Sequence, residues 1–61
     1  MNNLESLKTG QQYRFNFTHK RGVRGMVCEV DCERKRFVIY NYATAEYEGI
    51  VGERLLSAET I

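Results

Sequence analysis

A chain of 61 residues and 7.1 kDa is long enough for one domain, residues 1–61, with a small core. Hydrophobic residues make up 43% of it and charged residues 28%, which is typical of a globular domain and excludes a disordered chain. No apolar run approaches the roughly 20 residues of a membrane span, and no basic and apolar leader opens the chain. We therefore expect a cytoplasmic protein without a membrane partner.

The beginning of the chain predicts one short helical turn. Residues 3–8 place Leu4 and Leu7 three positions apart, so that both side chains face inward. Asn2 or Asn3 would cap this turn, because an asparagine side chain accepts hydrogen bonds from the first free backbone amides of a helix.

Two strands are predicted next, separated by a charged loop that ends in glycine. Residues 13–17 alternate aromatic and polar side chains, which is typical of a half-buried strand with its aromatic face inward. Residues 23–31 form the second strand, in which Met26, Cys28 and Val30 are expected to share one face. The opposite face becomes polar in the second half of this strand. Gly25, inside the second strand, indicates a bend or a close approach of another backbone.

The remaining elements are short. Residues 36–42 are rich in β-branched and aromatic side chains and predict a third strand. A fourth strand over residues 47–51, a tight turn over residues 52–56 and a closing strand over residues 57–61 complete the chain.

Short strands at a spacing of roughly ten residues are typical of an all-β sandwich or barrel. A two-sheet sandwich is difficult to build at this length, whereas a barrel also removes exposed strand edges. We therefore predict an all-β, five-stranded small barrel, with a helical turn at its start and a 3-10 turn before its last strand.

A glycine-rich turn enters the second strand with the pattern G-x-x-G-x-V-x-x-V-D over residues 22–31. The matching positions are Gly22, Gly25, Val27, Val30 and Asp31. This segment resembles the KOW motif. The resemblance implies an SH3-like barrel, and members of that family commonly bind RNA, ribosomal proteins or the transcription machinery.

A second, weaker resemblance is to the Sm-like fold, which builds RNA-binding rings. A helical turn before the strands, Gly25 six positions before Asp31, and residues 50–53 carry it. No asparagine follows Asp31, and Val51 stands where that family has an arginine or lysine before the glycine. Both resemblances imply a small five-stranded barrel and leave monomer, dimer and ring as open alternatives.

The net charge of +1 conceals an uneven distribution along the chain. Residues 14–36 carry seven basic and three acidic side chains, hence +4, whereas residues 37–61 carry one basic and four acidic side chains, hence −3. In an SH3-like barrel the first two connecting loops lie near one end of the same face, so we expect their basic residues to contact the phosphates of RNA or DNA. These residues are Lys20, Arg21, Arg24, Arg34, Lys35 and Arg36. The alternative is that they are solvated turn residues balanced by neighbouring carboxylates.

Tyrosines form a second candidate site. Tyr40 and Tyr42 are expected on one exposed face beside Val38, with Tyr47 within reach across the next turn. Exposed aromatic rings stack on bases or anchor a peptide partner. The alternative is cross-strand packing that supports a thin barrel.

The sequence offers no catalytic residue, metal site or cofactor motif. His19 is its single histidine and belongs to no recognisable triad. Cys28 and Cys32 would lie about 13 Å apart on one strand, too far for a disulfide, and their spacing is not that of a metal knuckle. We expect reduced cysteines and a non-catalytic module that binds nucleic acid. Two alternatives stay open: an adaptor or inhibitor that binds protein through the tyrosines and the acidic second half, and a self-assembling structural barrel.

Overall fold

Five antiparallel strands and two short 3-10 helices make up residues 4–61, the part of the chain that the computed structural model describes. The elements are a first 3-10 helix (Leu4–Ser6), β1 (Gln12–Phe17), β2 (Val23–Asp31), β3 (Arg36–Asn41), β4 (Glu46–Val51), a second 3-10 helix (Gly52–Arg54) and β5 (Leu55–Thr60). The all-β class, the helical turn at the start and the 3-10 turn before the last strand are confirmed. The predicted caps Asn2 and Asn3 lie outside the described residues.

All five strands belong to one antiparallel sheet in the order β4-β3-β2-β1-β5. Several strand ends differ from the sequence-based prediction: β1 and β4 each begin one residue earlier, and β5 ends one residue earlier. β3 ends at Asn41, because Tyr42 already begins the turn to β4. β5 begins at Leu55 rather than at residue 57, because the second 3-10 helix occupies only three residues.

The connection between β4 and β5 shows that the sheet is strongly curled. At its beginning, the Gly52 amide donates to the Lys35 carbonyl (2.8 Å), beside the β2–β3 turn; at its end, the Arg54 carbonyl accepts from the Thr18 amide (2.8 Å), beside the end of β1. These points lie at opposite ends of a flat sheet, yet three residues reach no further than about 10 Å. The smallest Cα extent of the molecule is 18 Å, far more than the thickness of one flat sheet. The described β4 and β5 do not pair, so the curled sheet stays open between them.

The concave side of the curled sheet holds the core. The aromatic rings of β1 lie at its centre, with the Phe15 ring 5.6 Å from Phe17 and 5.9 Å from Phe37 of β3. Burial of alternate residues in β1 confirms the predicted inward aromatic face. The buried apolar side chains are Leu4, Leu7, Tyr13, Phe15, Phe17, Val23, Val27, Phe37, Ile39, Ile50 and Leu55.

β2 faces the core with different residues from those predicted. Val27 is fully buried, whereas Met26 and Cys28 on either side of it are only half-buried. The pairing register with β3 shifts between Val27 and Glu29, which inserts one extra residue and reverses the alternation. Val30 therefore packs against the core. The expectation that Met26, Cys28 and Val30 share one face is wrong because of this bulge.

Candidate functional site

A cleft of about 540 Å³ lies at one end of the sheet, between the β1–β2 loop and the β3–β4 turn. The two segments meet because the Tyr42 amide donates to the Arg24 carbonyl across β2 and β3 (3.1 Å). Lys20, Arg21 and Arg24 line one side of the cleft, and Tyr42 and Thr44 line the other. Among the described residues, no carboxylate lines this cleft.

Local hydrogen bonds hold the β1–β2 loop in place. Gly22 adopts a left-handed conformation (φ 71°), which a glycine takes without steric cost, and its amide donates to Asn16 Oδ1 (3.0 Å). The Phe17 amide donates to the Lys20 carbonyl (2.7 Å), and Arg21 Nε donates to the Phe17 carbonyl (3.1 Å). The basic side chains of the loop therefore extend from a fixed backbone.

Asn41 organises the opposite wall of the cleft. This side chain is only 2% exposed, and its Nδ2 donates to Glu48 Oε2 (2.7 Å). Its Oδ1 accepts from the backbone amides of Ala43 (2.9 Å) and Thr44 (3.4 Å), which shapes the turn. Asn41 is not among the site residues predicted from the sequence. Its position two residues after Ile39 was the signal, since alternation along β3 directs it inward.

We expect the N41D variant to lose about 1.5 kcal/mol of unfolding free energy. Aspartate keeps the acceptor for the turn amides but loses the donor to Glu48, and it places two carboxylates side by side. The double variant N41D/E48Q should recover most of this loss, because the glutamine amide can donate to the new carboxylate. Urea denaturation of the wild type, both single variants and the double variant measures the coupling free energy between residues 41 and 48. Equal stability of N41D and N41D/E48Q would contradict the predicted recovery.

The three candidate tyrosines lie together on the outer side of the sheet. The Tyr40 ring lies 5.0 Å from Tyr47 and 6.0 Å from Tyr42, both in edge-to-face orientation. Tyr40 is half-buried, Tyr42 is 42% exposed and Tyr47 is 71% exposed. Tyr42 also lines the cleft, so the tyrosine cluster and the cleft form one continuous surface.

The six basic candidates fall into two groups. Lys20, Arg21 and Arg24 lie at the cleft, as described above. Arg34 and Arg36 line a second groove of about 240 Å³ toward the other end of β2, together with two carboxylates. Lys35 lies in the adjacent turn, with φ at 57°. The structure therefore brings the first three basic residues together and places the other three elsewhere.

The two groups differ in their electrostatic surroundings. Within residues 4–61, ion pairs join Arg14 to Glu59 (2.6 Å) and Arg34 to Asp31 (3.9 Å). Lys20, Arg21 and Arg24 take part in neither of these pairs, and they line the cleft. The acidic residues of the second half are dispersed, with Glu53 in the second 3-10 helix and others on β4 and β5.

The other residues with chemical potential lie apart from the cleft. Cys28 and Cys32 are free thiols, the first half-buried and the second exposed. The exposed His19 ring stacks on Phe17 at 5.6 Å. Residues 4–61 contain no cluster of three or more side chains suited to a metal ion. No helix within this described part is both long and apolar enough to span a membrane.

No protein-family model matches this chain, and neither does any curated protein or any solved structure.

Proposed function

We propose that this protein is a non-catalytic binding module for nucleic acid, whose phosphates bind in the cleft between the β1–β2 loop and the β3–β4 turn. One observation carries this proposal: Lys20, Arg21 and Arg24 converge on a cleft that no described carboxylate lines. Lysine and arginine side chains bind phosphate oxygens and release counterions, which gives affinity without dependence on base sequence.

The neighbourhood of the cleft favours nucleic acid over a small anion. Tyr42 joins the cleft to the exposed tyrosine cluster, so cations and aromatic rings occupy adjoining parts of one surface. Such a combination suits a ligand in which phosphates alternate with flat bases. A small anion would use the cations and leave the exposed ring of Tyr47 without a role.

We also propose a fold that is more specific than the all-β class. We infer an SH3-like barrel, supported by the sheet order, by the three-residue 3-10 link between β4 and β5, and by the curl that this link requires. The KOW-like interpretation of residues 22–31 is supported by the left-handed turn at Gly22 directly before β2. A cytoplasmic location is supported by the exposed free thiol of Cys32, since reduced cysteines are typical of that compartment.

Removal of two cleft charges should weaken nucleic-acid binding. We expect K20Q/R24Q to lower the affinity for a labelled oligonucleotide about tenfold at low salt. The slope of log K against log salt concentration should decrease in magnitude by about 1.5, since each phosphate contact contributes about 0.7–0.9. Arg21 is left intact because its Nε also supports the loop backbone. Fluorescence anisotropy titrations at several salt concentrations measure both quantities.

R34Q/R36Q is the matched control, since it removes the same charge from the second groove, where carboxylates lie beside the cations. Its affinity and salt slope should stay close to those of the wild type. Equal losses in both variants would contradict the assignment of the cleft, and absence of binding in the wild type would contradict the function. A single protein retained in a pull-down after nuclease treatment would favour the protein-interaction alternative.

A further inference from the structure

The outer side of the sheet carries two adjacent cross-strand rows of side chains. Hydrogen-bonded register defines both rows, because residues that face each other on neighbouring strands share a face. The first row is Glu59, Arg14, Arg24 and Tyr42, of which Arg24 and Tyr42 line the cleft. The second row is Gln12, Met26, Tyr40 and Tyr47. Cations and aromatic rings are thus neighbours along one surface.

The tyrosines offer free ring faces to a ligand. An edge-to-face contact covers at most one face of one ring, so Tyr42 and Tyr47 each keep at least one face that Tyr40 does not cover. Tyr47 is 71% exposed, and its burial therefore contributes little to folding. A free face on an exposed aromatic ring is the feature on which an unpaired base stacks.

The carboxylates near this surface either lie on the opposite face from the tyrosines or lie beside an arginine. Strand alternation places Glu46 and Glu48 on the opposite face of β4 from Tyr47, and Glu48 bonds the buried Asn41. Glu29 and Asp31 line the second groove together with Arg34 and Arg36, and Glu59 forms an ion pair with Arg14. Lys20, Arg21 and Arg24 therefore place positive charge beside the aromatic end of the surface, whereas the outward carboxylates lie beside other arginines.

From this arrangement we infer that the ligand is a single strand of RNA or DNA rather than a duplex. Its bases stack on Tyr42 and Tyr47 while its phosphates contact Lys20 and Arg24. In a duplex the base faces are already stacked on one another, so a duplex would engage the cations alone. The inference rests on the proposed function and adds the conformation of the ligand and the role of the tyrosines.

The test uses a labelled oligothymidine and an oligouridine of about ten nucleotides, a length within the range of single-strand sites, and a hairpin duplex of similar charge. The variant Y42L/Y47L keeps apolar side chains but removes both rings, and Y42F/Y47F keeps the rings. We expect Y42L/Y47L to bind the single strands about tenfold more weakly and the duplex as the wild type does. Y42F/Y47F should bind all ligands as the wild type does. Thermal melting of each variant verifies that it is folded.

The outcomes separate this inference from the proposed function. Equal wild-type affinity for single strand and duplex, with no effect of Y42L/Y47L, would overturn the single-strand inference and leave phosphate binding in the cleft standing. Absence of binding to all ligands would overturn both. Loss of single-strand affinity in Y42F/Y47F would assign the effect to the tyrosine hydroxyls, which overturns stacking. Loss only in Y42L/Y47L, and only for single strands, would support it.

Discussion

Replacement of Phe15 by alanine is expected to remove a large part of the free energy of unfolding at 25 °C. Phe15 is fully buried, and its ring lies within 6 Å of three other aromatic rings, those of Tyr13, Phe17 and Phe37. A Phe-to-Ala change in a core costs about 3–5 kcal/mol. A domain of this length has a total stability of roughly 3–9 kcal/mol, so the loss is a large part of the whole. Urea denaturation followed by circular dichroism measures it.

Two comparisons make this prediction specific. F15L keeps most of the apolar volume and should cost about 1.5 kcal/mol, which leaves a folded protein with a measurable midpoint. Y47A removes an aromatic ring that is 71% exposed and should change the stability by less than about 0.5 kcal/mol. A Phe15 variant no less stable than Y47A would show that the core does not depend on the stacked rings of β1.

The strands could be predicted from the sequence because each contains a short run of alternating or β-forming residues, and in β1 the alternation also sets the buried face. The aromatic residues of β1 recur at every second position, and this period alone specifies their burial. Leu4 and Leu7 were also correctly assigned to the core from their spacing. Local patterns of this kind need no knowledge of the neighbouring strand.

The bulge in β2 could not be predicted in this way. It is defined by the register between β2 and β3, where one strand gains a residue that the other lacks. Nothing in the local pattern around Cys28 marks the extra residue, so a strict period of two assigned Met26 and Cys28 to the wrong face. The pairing register depends on the sequences of both β2 and β3, so the sequence of one strand alone does not determine it.

The residues of the candidate site could be predicted from the sequence, but not which of the basic residues lie together. The tyrosines lie together as predicted, because alternation and a short turn bring Tyr47 beside Tyr40. The basic residues were expected as one group, but the described cleft takes in the β1–β2 loop and the β3–β4 turn. Adjacent ends of an antiparallel sheet bring these two connections together, whereas the β2–β3 turn follows the other end of β2.

Substitution of Gly25 by alanine is expected to cost about 3 kcal/mol and to lower the melting temperature by roughly 12–24 °C. Gly25 is buried where β2 crosses beside β3, and a Cβ atom there would collide with the Tyr40 carbonyl oxygen and lie 3.2 Å from its carbonyl carbon. The collision is with backbone, which β3 holds by pairing with strands on both sides, so no side-chain rotation relieves it. The sequence indicated a close backbone approach at this glycine, and the structure confirms it.

Gly49→Ala is the matched control, because it makes the same chemical change in β4, the strand on the other side of β3. A Cβ at Gly49 has the terminal Nη2 of Arg36 as its nearest neighbour, at 3.7 Å, an ordinary contact. Since alanine costs less backbone entropy than glycine, G49A should be neutral or about 0.5 kcal/mol more stable than the wild type. Because a Cβ at Gly25 would meet the backbone of Tyr40, a forced shift of β3 would also displace Tyr42, which lines the cleft. Equal melting temperatures for the two variants would contradict a close packing of β2 on β3.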